Sequence, residues 1–255
     1  MRRLFLLSLV LACLAVPAHA GTWAGPNNTG IQTFCTSNGV DELLIEYEYE
    51  PITGRPTWQG AFAPCSPTTF DALTFIARGG QVFGGAYRAP TVTFNVKPIS
   101  LKFFTPLAGN LAEGERAVKR TPGEEGSIQV LTRIELETGR PKPAALADYI
   151  GWWVVPNELG IGVSLDIQGT TAFMGVYTYT ADGLDDWFIS TGPLTTATTF
   201  EQDLQHCDKA TGVVACTPRG KLRFAAFYQN NDTRHPRLTL TLPSGEAKIL
   251  HPYTR

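Results

Sequence analysis

The sequence predicts an all-β protein: two tandem, related antiparallel β-barrel or β-sandwich repeats after a cleaved signal peptide. Three observations predict it. A pattern of glycines and aromatics occurs twice, the chain is a succession of short period-two runs broken by turn residues, and its first twenty residues have the form of an export leader.

The repetition is explicit. Gly21, Trp23, Pro26, Asn27, Gly30, Ile31, Gly39, Tyr47, Tyr49, Gly54 and Trp58 fall on Gly151, Trp153, Pro156, Asn157, Gly160, Ile161, Gly169, Tyr177, Tyr179, Gly183 and Trp187. One residue is skipped, in the turn after the second Tyr. A period of about 130 residues is too long for a solenoid unit and has the size of a duplicated small domain. The match continues from Thr68, Thr69, Phe70 and Asp71 to Thr198, Thr199, Phe200 and Glu201, then fades.

Arg2 and Arg3 precede an apolar run that ends near Val16, and Ala18, His19 and Ala20 have the small-x-small form of a signal-peptidase site. The run is shorter than a membrane-spanning helix, and no other stretch is long enough to span. Lipidation at Cys13 is the rival reading of the leader. Residues 1–20 are therefore set apart, with 21–142 as the first repeat and 143–255 as the second. With 17% charged residues, 11% aromatics and a formal charge of -2, the chain is globular, and it has no basic cluster for nucleic acid. Four cysteines follow the leader. In an exported chain an even count points to disulfides, and proximity pairs Cys35 with Cys65 and Cys207 with Cys216.

In chain order, residues 31–35 read as a strand and Ser37, Asn38 and Gly39 as a hairpin turn. Residues 43–50 alternate, with Leu43, Ile45, Tyr47 and Tyr49 on one face and Glu46, Glu48 and Glu50 on the other. Thr53, Gly54, Arg55 and Pro56 turn the chain and 57–62 return. Strands are expected over 81–87, 91–96, 100–104 and 127–135, with a charged loop over 112–125. The prolines and glycine of 137–143 suit a linker, and 144–149 a single helical turn. Residues 221–228, 237–242 and 247–251 complete the second repeat.

The pattern resembles tandem-repeat proteins exported by Gram-negative bacteria, which carry G-x-W-W-x-P-x-x-x-G-x-G followed by Y-x-Y-x-x-x-G-x-x-x-W. Gly151, Trp153, Pro156, Gly160 and Gly162 fit the first part, with Val154 in place of the second Trp. Tyr177, Tyr179, Gly183 and Trp187 fit the second. The first copy departs further, with Ala24 and Gln32 at two motif positions. The resemblance implies a β-rich secreted fold and no particular activity. Gly21, Thr22 and Trp23 are also similar to the opening of avidin-type barrels.

The candidate ligand contacts are Trp23, Trp58, Trp152, Trp153, Tyr177 and Trp187. These aromatics suit a stacking platform for sugar rings or an apolar wall, and equally a packing motif that both copies need. Trp152 stands out: it neighbours Trp153 in a strand, so the two face opposite ways, and an exposed Trp152 is the expected ligand contact. Glu46, Glu48 and Glu50 are candidates for a hard cation, against an ordinary solvated strand face. Asp182, Asp185 and Asp186 cluster in a turn without calcium-loop spacing. No catalytic residues are assigned. His206 lies beside Cys207, with Asp208 and Glu201 as acids within sequence reach, but no hydrolase motif is present. The expectation is a periplasmic or secreted, non-catalytic binding module for a small apolar ligand, a glycan or an envelope protein, with no cofactor. An envelope-polymer hydrolase and a structural or assembly protein are the alternatives.

Overall fold

The computed structural model describes residues 21–26, 29–66, 68–104, 116–121, 128–137, 144–209, 212–232 and 234–254. The leader, Asn27 and the repeat boundary near 142 lie outside the described residues. The chain forms two similar eight-stranded antiparallel barrels in tandem. In the first, β1 (Gly21–Ala24), β2 (Gly30–Cys35), β3 (Asp41–Tyr49), β4 (Pro56–Pro64) and β5 (Thr69–Arg78) are followed by a short ribbon β6 (Thr91–Thr93). Then come β7 (Pro98–Phe104), β8 (Arg116–Arg120) and β9 (Ile128–Arg133). The sheet runs β4-β3-β2-β1-β9-β8-β7-β5, and a β4–β5 pairing through Gly60 and Phe75 closes it, with β6 hanging outside on β5. Closure removes the sheet edges that would otherwise invite association.

A 3₁₀ turn (Ala144–Tyr149) leads into the second barrel: β10 (Gly151–Val155), β11 (Glu158–Gln168), β12 (Thr171–Tyr179), β13 (Asp185–Thr196), β14 (Thr199–Asp208), β15 (Ala215–Tyr228), β16 (Pro236–Thr241) and β17 (Ala247–Pro252). Trp153 opposite Pro252 closes the ring. Both disulfides form as paired in the sequence, Cys35–Cys65 across 30 residues and Cys207–Cys216 across 9. The second joins directly opposed residues of β14 and β15.

The second barrel is filled by apolar side chains, including Trp153, Leu165, Phe200, Leu222, Phe224 and Leu250, all buried. Trp153 stacks on Tyr149, 5.9 Å between centroids, and its indole N–H donates to the Tyr149 carbonyl at 2.9 Å. The interior of the first is mixed. Trp23 packs on Phe103 at 5.3 Å among Ile31, Leu44, Phe70 and Leu131. Beside them lie Glu42, Glu46, Gln59 and Lys119, each at most 5% exposed.

Three expectations are corrected. The face of β3 that carries Glu46 and Glu48 is the barrel lumen rather than a solvated surface, because closure turns one face of every strand inward. Glu46 pairs there with Lys119 and accepts from Gln59, while the exposed turn holds Glu50 through the Thr53 N–H. The three carboxylates share no cation-binding face. Within the charged stretch 112–125, β8 is a strand: Ala117 and Lys119 point inward, and Lys119 is accommodated by Glu46. Residues 81–87 form a strap rather than a strand. Gly79 and Gly84 adopt positive φ (73° and 76°), and the backbone leaves the first barrel to cross onto the second.

Candidate functional site

The outward side chains of β3 and β4 meet those of β10, β12 and β13, so the repeated aromatics form the junction of the two barrels. Trp58 of the first barrel lies 6.0 Å from Tyr177 and 5.9 Å from Tyr179 of the second. Trp187 of the second lies 5.4 Å from Tyr47 and 5.6 Å from Tyr49 of the first. Each Trp thus seats between the two Tyr residues of the other copy. Burial raises the pKa of all four phenols, Tyr49 to about 12, so they stay neutral at any ordinary pH.

Trp152 also lies in this junction. It is 5% exposed, packs edge-on against Phe34 at 5.7 Å and donates its indole N–H to the Leu43 carbonyl at 2.8 Å. The expectation of an exposed ring is corrected: the face opposite Trp153 is covered by the first barrel. Around it the junction is polar and paired. Gln32 accepts from Ser164 and Tyr177 and donates to Thr22 at 3.0 Å. Asp166 accepts from the Thr22 N–H at 3.2 Å and pairs with Arg133 at 3.4 Å.

The strap, residues 79–90, positions a second feature. Gly79 N–H donates to Gly183 O at 2.7 Å, and Thr178 Oγ1 donates to Gln81 O at 2.7 Å. Val82 bridges Tyr179 in parallel, and Phe83 packs on Phe188 at 5.4 Å. Gly80 has to be glycine, since a Cβ there would stand 2.0 Å from the Tyr179 ring. The strap roofs a cavity of about 420 Å³ at one mouth of the second barrel. Val82, Phe83, Phe188, Leu204 and Leu242 give it apolar walls, and His206, Asp186 and Arg219 supply its charges.

His206 is set on β14 opposite Phe188 of β13, which brings it to Asp186: Nε2 lies 2.8 Å from Asp186 Oδ1. Nδ1 is 3.4 Å from Asp208 Oδ2. The hydrogen bond to Asp186 raises the His206 pKa above its usual value, against desolvation and the Arg219 charge. Sequence reasoning offered Asp208 and Glu201. Asp208 is near, Glu201 pairs instead with Arg223 at 2.7 Å, and the chief partner Asp186 was missed. Only the β13–β14 register joins residues 186 and 206, and sequence spacing carries no trace of it. Cys207 is tied to Cys216 and supplies no thiolate.

The turn aspartates diverge. Asp182 is exposed, Asp185 faces Arg78 and Thr57 of the first barrel, and Asp186 faces His206. Among the described residues no group of three or more His, Cys, Asp or Glu side chains converges to hold a metal, and no helix is long and apolar enough to cross a membrane.

Fold and site together define a tandem eight-stranded barrel protein whose copies clasp through their repeated aromatics. No protein-family model, curated protein or solved structure matches the chain.

Proposed function

We propose that the protein is an exported, non-catalytic binding module of the bacterial envelope, which takes a small, mainly apolar ligand at the mouth of the second barrel. The observation that carries this reading is the 420 Å³ cavity under the strap, whose apolar walls surround a few placed polar groups. His206, whose pKa the Asp186 hydrogen bond raises, and Arg219 would anchor an acidic or hydrogen-bond-accepting end of the ligand. The strap would then link occupancy to the junction, since it belongs to one barrel and roofs the other. Both disulfides suit an oxidising compartment, in keeping with periplasm or medium.

Native mass spectrometry of the mature protein from its own host tests this, together with titration by an anionic naphthalene fluorophore. An added mass of a few hundred daltons, or fluorophore binding, is expected for the wild type. Both should be lost in Ser244→Trp, which fills the rim from an exposed turn. A wild type that carries no added mass and leaves the fluorophore dark overturns the reading.

A further inference from the structure

A concavity larger than the barrel-mouth cavity lies elsewhere, and its chemistry differs. A groove of about 990 Å³ runs between the β2–β3 hairpin of the first barrel and the outer face of β10, β16 and β17 of the second. Ser37, Asn38 and Gly39 form one bank, and Val154, Arg237, His251 and Tyr253 line the other. The backbone fixes this arrangement. Val154 pairs with His251 across β10–β17, and Ser37 N–H reaches Tyr253 O at 3.2 Å, so the chain end is stitched to the opposite bank.

Arg237 is the unexplained group. On β16 it alternates with Leu238, which fills the barrel, so its guanidinium lies on the groove side. Among the described residues it has no carboxylate partner. Its one hydrogen bond to them runs from Nη1 to the neighbouring Pro236 carbonyl at 2.8 Å, and its Nε–H is buried without an acceptor there. A buried, unpaired donor on a charged group is costly, so such a group is kept where something else completes it. His251 is close enough for the Arg237 charge to be felt: desolvation first, then Arg237, lowers its pKa. The other charged groups along the groove are engaged. Arg234 is held by Asp232 at 2.8 Å, and Asp148 accepts from Tyr228 at 2.9 Å. Arg237 is thus the cation of the groove left without a carboxylate partner among the described residues, while Asp148 keeps its charge beside Tyr228.

We propose that this groove is a binding site for an acidic glycan, with Arg237 and His251 as the seat for one of its carboxylates. The guanidinium on the groove side offers a carboxylate charge-assisted hydrogen bonds, and a neutral imidazole beside it donates a further one. The remaining groove suits the rest of a sugar chain. Its volume is more than twice that of the barrel-mouth cavity, and Asn38, Ser37 and Asn157 offer hydroxyl partners. Tyr253 offers a ring on which a pyranose packs. The site is separate from the barrel mouth and does not depend on the reading given to it.

The test is calorimetry of the full mature chain with tetragalacturonate, maltotetraose and inorganic phosphate, alongside NMR of the His251 imidazole. Tetragalacturonate is expected to bind and to raise the His251 pKa, with maltotetraose at least about tenfold weaker. Arg237→Met, which keeps the apolar stem, should cut tetragalacturonate affinity about tenfold or more, and Arg237→Lys should restore part of it. The wild-type His251 signal reads the site even if a variant folds poorly. The proposal is overturned if tetragalacturonate leaves His251 unmoved, if maltotetraose binds equally well, if Arg237→Met binds as wild type does, or if phosphate alone binds.

Discussion

The indole N–H of Trp58 donates to the backbone carbonyl of Thr178, 3.2 Å away on the other barrel. The relation is reciprocal. The indole of Trp187 donates to the carbonyl of Glu48 at 3.4 Å, and Glu48 is the first-copy counterpart of Thr178. Between barrels related by duplication, a contact made by one copy on the other is made back by its twin, as in a symmetric dimer. The repeated Tyr-x-Tyr and Trp therefore encode neither a barrel core nor an open platform; they encode the clasp.

Trp58→Ala and Trp187→Ala should each destabilise the fold by about 3–5 kcal/mol, the usual cost of emptying a buried Trp site. The loss falls between barrels, so urea unfolding followed by two probes should change from one transition to two. A single shifted transition in both variants would show that the clasp does not couple the barrels.

Gly80→Ala tests the strap. Its new methyl meets the Tyr179 ring, so the strap must lift from the mouth of the second barrel at about 1–3 kcal/mol. Amide exchange at residues 81–85 should quicken while the barrel strands stay protected. Unchanged exchange there would mean that the strap is held by something other than this approach.

The buried pair in the first barrel invites a third experiment. Lys119→Met leaves the Glu46 carboxylate in the lumen without its cation and should cost about 3–5 kcal/mol. Adding Glu46→Val, the residue type at the matching position 176, removes the stranded charge and should recover most of that loss. Chemical denaturation of the two variants decides it: equal stabilities would mean that Glu46 finds another partner.

The sequence made the duplication, the β class and both disulfides legible, because each leaves a linear trace in motif spacing, alternation or cysteine proximity. It did not reveal which face of β3 is the lumen. Leu43, Ile45, Tyr47 and Tyr49 read as the core face, yet they form the clasp, while Glu46 lies inside. Alternation tells that two faces differ in polarity, and a barrel that docks through its outside buries both. Trp152 misled for the same reason, since its cover comes from a distant segment. The glycine-rich strap carried enough Val, Phe and Tyr to pass for a strand.

The junction is also where pH should act. Asp185 of the second barrel has a side chain only 1% exposed, with Arg78 Nη1 at 2.9 Å and Thr57 Oγ1 at 3.1 Å, both from the first barrel. Burial outweighs Arg78, Thr57 and the nearby Arg55, and pushes its pKa up to about 6. An unfolded aspartate releases its proton near pH 3.9, so between roughly pH 4 and 6 the folded chain holds a proton that the unfolded chain has lost. Stability therefore falls as pH rises through that window, by about 3 kcal/mol, and this contribution is flat above it. Asp185→Asn keeps the acceptor for Thr57 and removes the charge, so the variant should gain on the wild type from pH 4 to pH 6.5. The raised pKa of His206 acts in a different window, with stability lost as pH rises above 6.5, and it is common to both proteins, so it cancels in their difference. Urea midpoints of the two proteins at pH 4, 5, 6 and 7 read that difference directly. A gap that stays constant across the series would mean that Arg78 holds Asp185 ionised throughout, and that the junction is indifferent to pH.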